Sequence, residues 1–330
     1  MVAAIKAQLD VLPFCTRRYT NETAVALARK LTDLAPDPLS RVLFAPGGTA
    51  AIGMAMKLAR YATGRHKTIS MWDSFHGASL DCISIGGEQI FRGDCGPLLP
   101  GTSHVPPPDD YRCDESGFPD AMASAKYIEY ILEKEGDISA VIAEPVRWTP
   151  YVPPPEYWQH VRAACDKHGA LLILDEIPNS LGRTGSFFTF EQFGIVPDMV
   201  VIGKGLGGGV MPIAALIATE ALNDVCATKA LGHYTHEKSP VACAAAIATI
   251  DYIMEHGLMQ NAETVGAYCK GRMSEMMQRH ELIGDVRGIG GSETTALTSP
   301  CSIPVQCTYS KCTEYSVYCP RVPVATRTPL

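Results

Sequence analysis

The run ALLILD at 170–175, followed at once by Glu176 and Ile177, and the run MVVI at 199–202, followed by Gly203-Lys204-Gly205, decide how this chain reads. Both are short, almost wholly apolar and end abruptly in charge. Strands buried on both faces of a parallel sheet look like this, because neither face can accept the polar alternation of a half-exposed strand. IAALIA at 213–218 and ISAVIA at 138–143 repeat the pattern. RVLFA at 41–45 and KTISMW at 67–72 are shorter strand candidates.

Helical spacing fills the gaps between these runs. Thr49–Thr63, Asp120–Glu135, Glu156–His168, Ser239–His256 and Asn261–Glu281 all read as helices, with Met122, Ala125, Ile128 and Leu132 on one face of the second and Gly257 placed to end the fourth. Strand–helix alternation predicts an α/β layer architecture with a mainly parallel sheet flanked by helices. Ligands in such sheets sit beyond the carboxyl ends of the strands, so the chemistry belongs in the loops that follow them.

Composition narrows the class. The chain has 330 residues, 46% hydrophobic and 19% charged, enough for a large core. A net charge of −7 and the lack of any Lys/Arg-rich run argue against nucleic acid as a partner. No stretch of ~18 uncharged apolar residues suggests a membrane span, and Lys6 interrupts any signal-peptide core. The 12 cysteines, none spaced CxxC, read as thiols of a reducing, cytoplasmic compartment rather than as zinc ligands.

The strand ends, taken in order, carry distinct chemistry. Ala45-Pro46-Gly47-Gly48-Thr49 leads into a helix: a phosphate cradle at a helix N-terminus, or an ordinary turn with a Thr N-cap. Asp73-Ser74-Phe75-His76-Gly77 offers an aromatic to stack on a flat ring, or a core Phe beside a hydrogen-bonded His. Glu144, in Ala143-Glu144-Pro145, is a carboxylate that needs a polar network or caps a loop. Asp175 could pair with a protonated ring nitrogen or hold a metal. Lys204, flanked by glycines, is placed to be desolvated and nucleophilic, or is a solvated loop lysine. Gly203-Lys204 fails the Walker pattern because position 198 is Asp. Gly205-Leu206-Gly207-Gly208-Gly209 runs into Pro212 and a strand, not into the helix of a dinucleotide loop.

Together these parts make up a pyridoxal phosphate site: anion hole, ring platform, pyridinium partner and Schiff-base lysine. From about residue 3 to residue 290 the chain resembles the class III pyridoxal-phosphate aminotransferases. The resemblance rests on Gly47-Gly48-Thr49, Phe75-His76-Gly77, Ala143-Glu144-Pro145, Asp175-Glu176-Ile177, Gly182-Arg183-Thr184-Gly185, Pro197-Asp198 before Gly203-Lys204-Gly205, and Thr235 before Ser239-Pro240-Val241-Ala242-Cys243. It implies the type I fold and a homodimer. Lys204 would form the internal aldimine and later shuttle a proton. Asp175 would keep the pyridine nitrogen protonated, Ile177 and Phe75 would sandwich the ring, and Gly48 and Thr49 would bind the phosphate. His76 and Glu144 would complete the cofactor site, and Thr235 would reach the phosphate of the neighbouring subunit. The implied reaction moves an amino group from an amine or amino acid to a keto acid.

Departures from the family pattern point to one branch of it. Ala50 stands where an acidic residue is usual. Pro178 replaces a Gln that donates to the ring hydroxyl, with Asn179 as a substitute donor. Arg147-Trp148-Thr149 replaces a run that holds a gateway carboxylate, and His236-Glu237-Lys238 departs from Gly-Gly-Asn-Pro. These features resemble a branch that includes an ammonia-lyase acting on a 1-hydroxy-2-aminoethylphosphonate. Arg147 and Trp148 are the substrate candidates there, since an Arg suits a dianionic phosphonate; a surface salt bridge is the alternative for Arg147.

The resemblance also implies the domain layout. Residues 1–20 would be a remnant of the N-terminal segment, 21–257 the large cofactor-binding domain, and 258–290 the start of an incomplete small domain. Residues 291–330, with Cys301, Cys307, Cys312, Cys319 and recurrent Pro, show no helical or strand period and read as a disordered or frameshifted tail. A chain so interrupted is expected to lose much or all activity, which leaves a cofactor-binding fragment as a further reading.

Overall fold

In a computed structural model, the structure describes residues 1–111, 113–147, 151–297 and 305–306. The strands are β1 (Leu39–Ala45), β2 (Lys67–Met71), β3 (Thr102–Val105), β4 (Ile138–Ala143), β5 (Leu171–Asp175), β6 (Met199–Ile202), β7 (Ala214–Thr219), β8 (Ile283–Ile289), β9 (Ser292–Leu297) and β10 (Val305–Gln306). The helices are α1 (Val2–Val11), α2 (Glu22–Leu34), α3 (Gly48–Thr63), α4 (Leu80–Ile85), α5 (Gln89–Arg92), α6 (Cys113–Ser116), α7 (Ala121–Glu135), α8 (Pro155–His168), α9 (Pro240–Glu255) and α10 (Leu258–Met277).

Seven strands form the main sheet in the order β1-β7-β6-β5-β4-β2-β3. The four pairings among β3, β2, β4, β5 and β6 are parallel. β7 is antiparallel to both β6 and β1. β1 therefore points the same way as β2 to β6, and β7 alone is reversed. The mainly parallel sheet expected from the sequence is present, with that one exception.

Side-chain alternation along the strands builds a core on each face. Val141, Leu172, Leu174, Val200, Ile202, Ala215 and Ile217 point to one side, where residues of α2, α7, α8 and α9 meet them. Ala140, Ile142, Ile173, Met199, Val201, Ala214 and Leu216 point to the other, against Ala51, Ile52, Met54, Ala55, Leu58 and Ala59 of α3. Every strand in the middle of the sheet is covered twice, which is why these runs are apolar throughout.

Helix boundaries follow from local chemistry. Asn21 caps α2 through a 2.9 Å bond to the Ala24 amide. Asp120 caps α7 at the Ala123 amide, and left-handed Gly136 ends it. Ser239 caps α9, which opens with Pro240 at its first position.

A second sheet, β10-β9-β8, is antiparallel and packs on α10. β9 and β10 correct the expectation that nothing regular follows residue 290. β9 is the polar SETTAL and β10 only the pair Val305–Gln306, too polar and too short to show the period that pairing imposes. The remainder of the expected tail, 298–304 and 307–330, lies outside the described residues. Among the described residues no single helix is long and apolar enough to cross a membrane; α9 and α10 meet that length and hydropathy only jointly, across a 62° bend.

Candidate active site

Because β1 runs with β2, β4, β5 and β6, the segments that follow these strands gather at one edge of the sheet. Three glycines let them close on each other. A Cβ at Gly48 would lie 2.6 Å from Cδ1 of Ile177, and one at Gly203 would lie 3.4 Å from the same side chain. Ile177, after β5, is thus seated against the segments that follow β1 and β6. Gly77 adopts φ 130°, where a Cβ would lie 2.4 Å from Thr49 Oγ1. Only glycine tolerates both the angle and the approach.

At the start of α3 the N-cap is Gly47, with no side-chain cap, so Thr49 is not the cap residue. Among the described residues no side chain claims the first-turn amides, and the helix dipole adds to their pull on an anion.

Asp175, at the end of β5, is 1% exposed. Its Oδ2 is 2.8 Å from Nδ1 of buried His76, and its Oδ1 accepts the Ile177 amide at 3.1 Å. A carboxylate can only accept, so the proton of this contact sits on Nδ1 of His76. Nε2 then faces Ser70 Oγ at 3.5 Å, and Ser70 Oγ lies 3.4 Å from Ser74 Oγ. Both oxygens of Asp175 are therefore fixed by groups from two strand ends.

Glu144, at the end of β4, is buried, and among the described residues its Oε2 has no hydrogen-bond partner. Burial pushes its carboxyl up to about 7; the negative Asp175 adds to this, while His76, Arg147 and Lys204 oppose it. The turn is anchored by the Trp158 indole, which donates to Pro145 O at 2.9 Å. Arg147 is buried and pairs with Glu88, so the surface salt bridge weighed for it is instead an interior one.

Two sequence expectations change. Lys204 is exposed rather than desolvated. It opens a short 3-10 turn, Lys204–Gly207, at φ 42°, and its glycine neighbours have no side chains with which to cover it. Asn179 is fully buried and gives its side-chain amide to Val146 O, so that donor is committed to the fold and not to a ring hydroxyl.

Phe75 is half-buried and packs on Phe91, with ring centroids 4.5 Å apart. Thr235 stands apart on an exposed turn, and no contact among the described residues ties it to the Asp175–His76 group. Trp148 lies outside the described residues.

Sequence reasoning missed the partners. Glu88 carries no motif, and Glu176 reads only as the residue that follows Asp175. Glu176 instead accepts the Thr189 and Phe190 amides at 2.7 Å each, which holds the segment after Gly182-Arg183-Thr184-Gly185; burial pushes its carboxyl up to about 8.

The model of the class-III aminotransferase family matches residues 1–300. The chain belongs to that family. The match continues past Gly290, where the sequence alone shows the resemblance stopping, and β9 continues the hairpin there. Among curated relatives, the (R)-1-hydroxy-2-aminoethylphosphonate ammonia-lyase of Vibrio splendidus is 48% identical over 88% of this chain and 64% of its own length. The putrescine aminotransferase of Pectobacterium atrosepticum is 35% identical over 88% of this chain and 61% of its own. The chain thus spans less than two thirds of either relative. Among solved structures, an amine transaminase from an uncultivated Pseudomonas species, in its PLP-bound form, superposes with a TM-score of 0.84 at 31% identity, over 90% of this chain and 72% of that one. The α/β fold is the type I fold of these pyridoxal-phosphate transaminases.

Proposed function

We propose that the chain binds pyridoxal 5'-phosphate at the carboxyl edge of its sheet and transfers an amino group from an amine or amino acid to a keto acid. The buried Asp175–His76 pair carries this reading, because it stands on the same edge as Lys204 and the side-chain-free N-terminus of α3. The residues present fit the cofactor. The close approaches at Gly48 and Gly77 seat Ile177 and Thr49 at the edge, the α3 amides suit a phosphate, and Glu144 keeps, among the described residues, an oxygen without a partner. Lys204 would hold the cofactor covalently and Asp175 its ring nitrogen. Gly48 and Thr49 would take the phosphate, with Phe75 and Ile177 on the ring faces. Thr235 is assigned to the phosphate of a partner protomer, which makes the working enzyme a homodimer. The reading places it in the cytoplasm.

When bound, the cofactor supplies an electron sink for the carbon that loses its proton. The chain's own contribution is positional. His76 and the Ile177 amide hold both oxygens of Asp175, so its charge is fixed rather than reorganised during reaction. Once the substrate amine has displaced it from the cofactor, Lys204 Nζ would be free to act as the base that takes a proton from the amine-bearing carbon and returns it two atoms away, across the nitrogen. Gly203 and Gly205 give it room to swing.

Elimination of ammonia from a hydroxy-aminoalkylphosphonate is the second reading. It is supported by the 48% relative and by Arg147, a cation beside Glu144 on the same edge.

The test is the visible absorption of protein incubated with pyridoxal phosphate, beside Lys204→Ala. A yellow band, lost in the variant and fixed to Lys204 by borohydride, is expected; its absence from the wild-type chain refutes the proposal. Amines are then offered with and without a keto acid. Ammonia released without the acceptor selects elimination, and a requirement for the acceptor selects transfer.

A further inference from the structure

The turn at 233–238, which carries Thr235, is gripped by residues 14–21 of the same chain. Arg17 Nε donates to Oε1 of Glu237 at 2.8 Å, and Arg17 Nη1 lies 3.3 Å from Nδ1 of His233. The Asn21 side-chain amide donates to Lys238 O at 3.1 Å. The Phe14 ring meets the His236 ring edge-on, with centroids 5.3 Å apart. The turn is thus held on both sides of Thr235, while Thr235 itself stays exposed.

Glu237 is the centre of this grip. It is 5% exposed, although a carboxylate in a turn ordinarily faces water. Its Oε1 takes Arg17 and its Oε2 accepts the Tyr234 amide at 3.1 Å, while the Glu237 amide donates back to Tyr234 O at 3.2 Å. Both side-chain oxygens face donors, so a carboxylate satisfies them and a carboxamide would set one donor against another. The far end of the grip is equally firm, because Asn21 Oδ1 also caps α2, whose Leu27 and Leu31 are buried in the core.

We propose that Arg17 and Glu237 are positioning residues for cofactor binding: by joining residues 14–21 to the turn, they fix the backbone from which the Thr235 hydroxyl reaches a phosphate. This rests on the reading above, in which Thr235 takes the phosphate of a partner protomer. A hydroxyl on a free surface turn gives up conformational freedom when it takes an anion, and that loss is subtracted from the bond it makes. A turn already held on both sides of Thr235 has given up that freedom beforehand. Neither Arg17 nor Glu237 touches a reacting atom. Two of the residues by which this stretch departs from the family pattern, His236 and Glu237, supply side chains to the grip.

The experiment is an absorption titration of the full chain with pyridoxal phosphate, in the wild type, Thr235→Ala, Arg17→Ala and the double variant. Hydrogen exchange of the peptide covering 233–238 is read by mass spectrometry in the same proteins. Thr235→Ala should weaken binding about tenfold, through loss of one hydrogen bond to a charged group. Arg17→Ala should weaken it about fivefold and speed exchange in 233–238, with exchange in β4, β5 and β6 unchanged. The double variant should bind no more weakly than Thr235→Ala alone, because the grip acts through that hydroxyl. Glu237→Gln should behave as Arg17→Ala does. Arg17→Lys, which keeps the charge, should recover part of the affinity, and it replaces Arg17→Ala in the same comparison if the alanine variant does not fold. Unchanged affinity in the Arg17 variant, or losses that add in the double variant, overturns the proposal and leaves Thr235 its role. Unchanged affinity in Thr235→Ala, or no binding by the wild type, refutes the reading beneath the proposal and the proposal with it.

Discussion

Replacing Glu144 by Gln should change how stability depends on pH, in a window set by the site itself. The carboxyl is buried at the end of β4, one oxygen has no partner among the described residues, and burial raises it from 4.5 to about 7. Below pH 4.5 the group is protonated in both folded and unfolded chains and contributes no pH dependence. Between 4.5 and about 7 the unfolded chain releases the proton and the folded chain keeps it, so stability falls as pH rises. Above about 7 both are ionised and the loss is complete. At about 1.4 kcal/mol for each pH unit of that gap, the full loss is about 3.5 kcal/mol. Gln fills nearly the same volume and does not titrate. The difference in unfolding free energy, variant minus wild type, should therefore rise by about 3.5 kcal/mol from pH 4.5 to pH 7 and stay flat beyond. Urea denaturation at half-unit pH intervals measures it, and taking the difference removes the titration of Glu176 and other groups common to both proteins. A difference that is constant across the window would mean that Glu144 is ionised throughout, held by His76, Arg147 and Lys204, and that its burial does not govern its charge.

Gly77→Ala should destabilise the chain by about 2–4 kcal/mol, combining a backbone angle closed to Ala with a clash at Thr49 Oγ1. It should also weaken pyridoxal phosphate binding measured by absorption titration; unaltered affinity would detach Thr49 from the phosphate. Trp158→Phe removes the donor to Pro145 O and should cost about 1–3 kcal/mol in urea unfolding. The Cys82, Cys165 and Cys243 thiols, pushed up to about 12 by burial, should resist alkylation at pH 8 while exposed Cys95 reacts, as peptide mass mapping would show.

How much of the molecule is legible in its sequence depends on how locally each feature is encoded. Strands covered on both faces announce themselves as apolar runs, so the polar residues at which they stop, Glu144, Asp175 and Lys204, can be placed on one edge from the amino-acid order alone. The reversal of β7 cannot be read, because an antiparallel strand covered on both faces has the same composition as a parallel one. β3 escapes notice because its sequence is the short polar TSHV. Pairings are invisible for a different reason. His76 and Asp175 are 99 residues apart and Glu88 and Arg147 are 59 apart, and a charge pair carries no periodic trace in sequence. Desolvation of Lys204 follows only from its strand-end position, and the glycines that mark the site are also what leave the lysine uncovered.

Pro178, Asn179 and Arg147, three of the departures from the family pattern, meet in one place. Pro178 lies in the turn between Glu176 and Asn179, which closes through the Asn179 amide to Glu176 O at 3.1 Å. That turn aims the Asn179 side chain at Val146 O, the residue immediately before Arg147. A glutamine at 178 reaching for a ring hydroxyl would leave this link to position 179 alone; here the proline stiffens the turn and the asparagine ties it to the next strand end. The backbone that carries Arg147 is thus fixed from the β5 side by Asn179, its side chain is met from the β2 side by Glu88, and the Trp158 indole fixes Pro145 from beneath. Pro178 in the turn, the Asn179 donor and the Arg147 cation make one arrangement, in which side-chain hydrogen bonding holds the backbone that carries a buried positive charge.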